Sequence, residues 1–126
     1  MNYKSIHKKL SQQTRHIMPE HLERLAWSRE KIDAFQTQQL RTLLKHVSIH
    51  SPYYQKLLKP YDIDVMTPND LKQLPKLTKQ TVLDNWDEIV CVPELTKAKA
   101  EAHLEALRNN PNANPFFNNQ YYVTAT

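Results

Sequence analysis

Two histidines in the first half of the chain have a spacing that could serve metal chemistry. His46 and His50 are four residues apart, so on a helix their imidazoles would lie on one face within reach of a single ion. The sequence suggests no third ligand nearby, and Cys91 stands alone as the only cysteine. A pair of ordinary, partly exposed histidines is therefore the favoured interpretation, and no metal ligand is assigned.

No other group of residues supports a defined reaction. The chain contains no glycine, so it cannot form the glycine-rich loops that bring backbone amides against phosphates. No Ser/His/Asp arrangement can be assembled, and Lys76 and Lys79 are interpreted as solvated surface cations. Trp27 and Trp86 lie among apolar neighbours, which favours a packing role. No catalytic residue and no cofactor-binding residue is predicted in this chain.

Composition favours an intracellular globular protein. The 126 residues are 40% hydrophobic and 24% charged, close to the averages of folded domains. Cys91 has no second cysteine to pair with, which suits a reducing compartment, and its apolar neighbours favour a buried structural thiol. No run approaches the roughly 20 apolar residues of a membrane span, and residues 1–9 lack the apolar stretch of a secretory signal. We therefore expect a cytoplasmic location and no membrane partner.

The basic balance of the chain does not indicate a nucleic-acid partner. The net charge is +4, but acidic residues are interspersed with the lysines and arginines over most of the sequence. A nucleic-acid binder usually concentrates its positive charge on one helix or groove. A solvated surface is the favoured interpretation.

The absence of glycine is the outlier of the composition. Average usage of about 7% would give roughly nine glycines in a chain of this length. Folded domains use glycine for left-handed helix ends and tight turns. The chain is therefore either strongly helical with asparagines at its helix ends, or separated from a glycine-rich part, and both conditions can hold together.

Helical periodicity extends over residues 20–109, after a polar and weakly patterned segment at 1–19 that Pro19 closes. Ser28 is expected to cap a helix that ends near His50. The next helix is expected at Pro52–Leu58, with Ser51 as its N-cap and proline in its first turn.

Threonines are the expected starts of three further helices. In each case the threonine precedes the helical pattern and would accept a hydrogen bond from the first turn. At the first of them Asp70 also stands where it would complete a capping box. The expected helices are Asp70–Leu74 after Thr67, Lys79–Trp86 after Thr78, and 97–109 after Thr96.

The end of the chain changes character. Residues 110–119 are rich in asparagine and proline and predict a loop, whereas residues 120–126 are β-branched and aromatic and predict a strand. No other strand is evident to pair with it. The expected fold class is mainly α: a helical amino-terminal subdomain at 20–109 that ends in the first strand of a truncated α/β domain.

An ordered series of short elements runs through the helical region. It comprises residues 40–54, which end in Ser51-Pro52-Tyr53-Tyr54, then Thr67-Pro68-Asn69-Asp70-Leu71, Leu74-Pro75-Lys76-Leu77-Thr78-Lys79 and Trp86-Asp87. In order and spacing it resembles the amino-terminal region of the phenylacetate–CoA ligase family of adenylate-forming (AMP-binding) enzymes, which includes relatives attached to capsular polysaccharide gene clusters. Tyr121-Tyr122-Val123-Thr124-Ala125-Thr126 resembles the strand that leads into the Ser/Thr/Gly-rich phosphate loop of the same enzymes. The resemblance covers residues 20–126.

The resemblance implies a parent enzyme that activates a carboxylic acid. Acid and ATP, with Mg, would give an acyl-adenylate and pyrophosphate, and coenzyme A is the implied acceptor. This chain would be an amino-terminal fragment that is inactive alone, with the downstream catalytic domain as its partner and a small carboxylic acid as the parent's substrate. No catalytic residue of the family can be carried onto a position in this chain.

Two alternatives remain open, one for the function of the chain and one for the role of a tyrosine. A non-enzymatic helical interaction or DNA-binding module would treat residues 28–58 as a helix-turn-helix-like pair, although the turn lacks a glycine and the apolar faces are broad. Within the resemblance, Tyr53 and Tyr54 are expected to pack on the next element, and a substrate-pocket role is the alternative for one of them.

Overall fold

The computed structural model describes residues 3–110 and 112–124. The chain divides into two compact units: the central unit is Ser28–Lys97, and the terminal unit joins Met1–Trp27 to Ala98–Thr126. The protein is mainly helical, as expected, with one small antiparallel sheet of two strands. The predicted helical region at 20–109 contributes elements to both units, and a catalytic domain that follows it stays a prediction.

The central unit begins with two helices joined by a single residue. Helix α2 is Arg29–His50, and its N-cap Ser28 accepts a hydrogen bond from the backbone N–H of Lys31. Helix α3 is Pro52–Leu58, with proline at its start and Ser51 as its N-cap. Both helices and both caps confirm the sequence prediction.

The remaining elements of the central unit are short. A 3₁₀ helix is formed by Pro68–Gln73, helix α4 is Lys79–Asp84, and helix α5 is Trp86–Ile89. The first agrees approximately with the predicted Asp70–Leu74.

The predicted helix Lys79–Trp86 is confirmed as far as Asp84, but it breaks at Asn85, and Trp86 begins a second short helix. The backbone N–H and the side-chain amide of Asn85 both donate to the carbonyl of Thr81. With φ at −119° and ψ at 23°, Asn85 leaves the helical region, and α5 starts at the next residue.

An apolar cluster joins α2, α3 and residues 59–67, the connector between α3 and the 3₁₀ helix. Leu44, Leu58 and Met66 are each 5% exposed or less. The partly buried side chains packed around them are Leu40, Val47, Tyr54, Tyr61, Ile63 and Leu74. The spacing of Leu40, Leu44 and Val47 explains which face of α2 is buried, since residues three and four apart lie on one side of a helix.

Arg41 fixes the connector against α2. Its Nε donates to the carbonyl of Met66 at 3.0 Å, and its Nη2 donates to the carbonyl of Val65 at 3.1 Å. A guanidinium can satisfy two adjacent carbonyls at once because its donors form a rigid fork. This contact holds Met66 in the apolar cluster although the connector has no regular structure of its own.

The terminal unit contains a longer first helix than the sequence predicted. Helix α1 is Tyr3–Glu23 and continues through Pro19, and a short 3₁₀ helix follows at Arg24–Ala26. The expected break at Pro19 is wrong. Proline removes one backbone donor from the helix interior, and the helix around it tolerates that loss.

Helix α6, Lys97–Asn109, matches the predicted helix and leads into the strands β1, Phe116–Phe117, and β2, Tyr121–Tyr122. Phe116 is 7% exposed, and its ring lies 6.2 Å from that of Tyr3 and 5.3 Å from that of Tyr122. Among the described residues of this unit, Ile6 and Ala100 are also buried. Aromatic packing is therefore what joins the hairpin to α1.

The hairpin corrects two expectations about the end of the chain. The predicted loop 110–119 contains a strand, and the predicted strand 120–126 is a strand only at Tyr121–Tyr122, paired antiparallel with Phe116–Phe117. Residues 125 and 126 lie outside the described residues. The second strand thus has a partner within this chain.

The hairpin turn is built from asparagine. Asn118 and Asn119 have φ of 50° and 58°, and the N–H of Gln120 donates to the carbonyl of Phe117 at 3.0 Å. Such left-handed backbone favours glycine, and asparagine is the side chain that tolerates it best. In a chain without glycine, the asparagine pair takes that role.

Replacing Asn118 by alanine should weaken the hairpin by about 1 kcal/mol, because a β-carbon without a compensating side chain disfavours positive φ. Asn118→Gly should leave the hairpin at least as populated as in the native chain. Cross-strand nuclear Overhauser effects between Phe116 and Tyr122 measure that population. Asn112→Ala, an exposed asparagine of the same connection with negative φ, is the control. Equal populations for Asn118→Ala and Asn118→Gly would contradict this account of the turn.

Candidate functional site

Ser51, in the first element of the resemblance, is buried in the central unit. This residue is 1% exposed and is the one fully buried polar side chain in the part of the chain that the structure describes. It occupies the single position between α2 and α3. A buried hydroxyl requires hydrogen-bond partners, and the contacts of Ser51 define the geometry of the junction.

Ser51 is bonded to three different elements. Its backbone N–H donates to the carbonyl of Val47 at 2.9 Å and closes α2. Its Oγ accepts from the N–H of Tyr54 at 3.4 Å, which caps α3, and donates to the carbonyl of Glu88 at 2.8 Å. One side chain therefore ends one helix, starts the next and binds the end of α5.

The contact between α3 and α5 continues at the surface. Lys56 Nζ lies 3.0 Å from Glu88 Oε2, and both side chains are at least half exposed. Exposed ion pairs of this kind contribute between 0 and about 1 kcal/mol. The buried hydrogen bond from Ser51 therefore contributes more to the position of α5 than this ion pair does.

Tyr54 faces inward next to this junction. Its side chain packs on the cluster of Leu44, Leu58 and Met66, and its ring lies 5.5 Å from that of Tyr53 in an edge-on arrangement. Burial raises the pKa of the Tyr54 hydroxyl, with smaller contributions from Tyr53 and Cys91. A phenol with a raised pKa stays protonated, which fits the expected packing role.

Cys91 differs from the expectation of a buried thiol. It is half-buried, and its Sγ lies 4.0 Å from the carbonyl of Ile89. The apolar run in which it lies follows the end of α5, where the chain passes close to the surface of the unit.

Trp86 and Asp87 position the segment that leads into α6. Trp86 Nε1 donates to the carbonyl of Leu95 at 3.0 Å, and Asp87 Oδ1 accepts from the N–H of Lys97 at 2.7 Å. Lys97 is the first residue of α6, so the carboxylate satisfies a helix N-terminal donor. The sequence predicted a packing role for Trp86, but no pattern signalled the role of Asp87.

The segment Leu74–Lys79 also contributes packing and a helix cap. Leu74 packs on the apolar cluster, and Thr78 Oγ1 accepts from the N–H of Thr81 at 3.0 Å as the N-cap of α4. Lys76 and Lys79 are exposed. The structure thus brings the threonine and the leucine of this element into the fold and leaves both lysines at the surface.

The turn before this segment contains a carboxylate held by one threonine. Asp70 Oδ2 accepts from the N–H of Thr67 at 2.8 Å and from its hydroxyl at 2.7 Å. These two hydrogen bonds lower the pKa of Asp70, the one from the hydroxyl most strongly. The arrangement confirms the predicted reach of Asp70 back to Thr67.

A shallow groove of 580 Å³ runs along the outer side of α2. Its charged lining residues are already engaged within the protein: Asp33 with Arg29, Arg41 with the connector, and Lys45 with Asp64. The groove is open to solvent.

The two histidines of α2 are neighbours at its surface. The rings of His46 and His50 are exposed, with centres 4.5 Å apart. Across the described residues, no three His, Cys, Asp or Glu side chains are grouped so that they could share a metal ion.

Comparison with families of known proteins, with curated proteins and with solved structures found no match for this chain. Among residues 3–110 and 112–124, no helix combines the length and the apolar character needed to cross a membrane. What the junction does is positional: its groups bind backbone atoms of the protein and hold helices in place.

Replacing Ser51 by alanine should lower the free energy of unfolding by about 2–4 kcal/mol. Loss of a serine N-cap costs about 1 kcal/mol, and the carbonyl of Glu88, left without its partner, adds about 1–3 kcal/mol. Urea unfolding followed by circular dichroism measures the change. Ser48→Ala is the control, since its hydroxyl bonds only the carbonyl of Lys45 within α2, and its effect should stay within about 0.5 kcal/mol. Similar losses in both variants would contradict the role given to Ser51.

The pKa of Asp70 should rise toward its ordinary value in Thr67→Val, because the hydroxyl that stabilises the carboxylate is removed. Since the folded-state pKa is depressed, the turn stabilises the fold above the unfolded-state pKa and loses that contribution as the pH falls through the folded-state pKa. Carbon-detected titration of the Asp70 carboxyl measures the shift. Thr42→Val, on α2, should leave the pKa of Asp70 unchanged. An unchanged pKa in Thr67→Val would contradict the assignment.

Proposed function

We propose that this chain forms the amino-terminal helical region of an ATP-dependent, carboxylate-activating ligase similar to the phenylacetate–CoA ligases, and that it positions structure without performing chemistry. The observation that carries the proposal is where the resembling residues lie. Four of the five quoted elements supply the caps and packing contacts of one compact unit, the central unit.

If the role of this region is to hold helices in place, its characteristic residues should be those that fix backbone geometry. Ser51 ends α2 and starts α3, Thr67 and Asp70 bind each other, and Thr78 caps α4. Each of these residues directs its polar atoms to the backbone or to a neighbour in the turn. This pattern supports a region that holds other parts of an enzyme in place.

The large solvent-exposed area of the chain supports the proposal that part of its surface packs against a further domain. Because the chain has two compact units, its solvent-accessible surface can be compared with that of two separate compact proteins of half its mass. Together they would expose about 8,500 Å², whereas this chain exposes 9683 Å². Large apolar side chains contribute to the excess. The most exposed among the described residues are Leu22, Leu25, Leu43, Ile49, Val65 and Tyr122. Covering such residues is what packing against a catalytic domain would accomplish.

In this proposal the parent reaction joins an acid to ATP, releasing pyrophosphate from an acyl-adenylate, with coenzyme A as the acceptor. The described residues offer little for ATP, Mg or coenzyme A: the charged residues of the groove along α2 are engaged within the protein, and no three His, Cys, Asp or Glu side chains are grouped for a metal ion. We assign these groups, and the small carboxylic acid, to the catalytic domain. The location that fits this chemistry is the cytoplasm.

The structure gives less support to a helix-turn-helix module. Such a pair needs a turn of about three or four residues to set one helix across the other, whereas α2 and α3 are joined by Ser51 alone. Lys45, Lys56 and Arg41 contact acidic side chains or carbonyls of the protein, so they do not form a free basic face.

Isothermal titration of this chain with Mg-ATP should show no appreciable binding. The frame that follows the codon of Thr126 should encode a Gly-Gly-Ser/Thr-Ser-Gly-type loop, and the polypeptide that includes it should bind Mg-ATP. Micromolar binding by this chain alone would contradict a catalytic site elsewhere. A stop codon in place of that loop would favour the non-enzymatic module.

A further inference from the structure

His46 and His50 occupy the last turn of α2, where two imidazoles face each other across one helical turn. Their ring centres are 4.5 Å apart and their planes are inclined by 43°. Both side chains are exposed, so solvent and ions reach them directly. Rings at positions i and i+4 project from the same face of a helix, so both imidazoles lie on one side of α2.

The separation of the rings matches coordination of one ion. A histidine nitrogen lies about 2.0–2.1 Å from a bound metal and about 1.1 Å from its own ring centre, which places the ring centre about 3.2 Å from the metal. Two centres 4.5 Å apart then subtend an angle of about 90° at the ion. This angle suits the square-planar or tetragonal geometry of Cu²⁺ and Ni²⁺ better than the tetrahedral geometry of zinc.

The local electrostatics also favour a cation. The carbonyls at a helix C-terminus carry a partial negative charge, and α2, with 22 residues, ends at His50. Lys45, the cation next to His46, lies 2.6 Å from the carboxylate of Asp64, which compensates its charge. An incoming cation therefore meets two imidazoles beside the negative end of a helix.

We propose that His46 and His50 form a solvent-open site for a divalent late transition-metal ion, with Cu²⁺ bound most tightly and water completing its coordination. The order of preference follows the general affinity series of divalent metals. Only two protein ligands are supplied, so the ion exchanges readily. When bound, it links the two ends of the last turn of α2, immediately before Ser51. The site is independent of the ligase proposal.

Titration of the intact chain with CuCl₂ tests the site, with glycine present to suppress binding to single imidazoles. The native protein should bind one Cu²⁺ whose electron paramagnetic resonance spectrum shows two imidazole nitrogens. His46→Gln and His50→Gln should each weaken binding at least about tenfold, because the second ligand no longer acts at a high effective concentration. Glutamine is tolerated at exposed helix positions, and circular dichroism checks that both variants fold.

The matched control removes two histidines that are not spaced for chelation. His16 and His21 both lie on α1 and are five residues apart. The double variant His16→Gln with His21→Gln should leave the Cu²⁺ affinity unchanged. If the His46 and His50 variants bind Cu²⁺ as tightly as the native chain, or if the control loses the site, the proposal is overturned. A spectrum with a single nitrogen ligand would overturn it as well.

Discussion

The hydroxyl of Ser51 is the group on which the central unit depends. It is buried where two helices meet, caps the second of them, and donates to a carbonyl at the end of a third. Because a buried polar group is costly when it lacks partners, this residue admits few arrangements of α2, α3 and α5. The apolar cluster of Leu44, Leu58 and Met66 then supplies the burial, and Arg41 holds the connector over it.

Features that rest on neighbouring residues were predictable. Ser28, Ser51 and Thr78 could be recognised as helix N-caps from the sequence, because a cap needs only a side-chain oxygen and the next turn of backbone. The bond from Ser51 to Glu88 spans 37 residues, and the one from Arg41 to Met66 spans 25, so no local pattern signals either. These distant contacts are what turn a series of short helices into a unit.

The errors have the same origin. Residues 1–19 were expected to be a polar segment that Pro19 separates from the helical region, but α1 includes most of them and continues through Pro19, because a helix can tolerate the loss of one donor. The strand Phe116–Phe117 has only two residues, too few to show an alternating pattern, although the adjacent asparagine pair was a signal for a turn. For the candidate site, the sequence identified the Ser51 element and the histidine spacing, but not that Asp87 binds the start of α6 or that the imidazoles face each other.

The central claim is that this chain positions helices within an enzyme whose chemistry lies in another domain. Acid-dependent exchange between ATP and pyrophosphate measures that chemistry directly, on this chain and on the longer polypeptide that the proposal requires. The account predicts exchange by the longer polypeptide with a carboxylic acid substrate, and none by this chain. Exchange by this chain alone, or its absence from the longer polypeptide across a broad panel of aryl and alkyl carboxylic acids, would contradict the account.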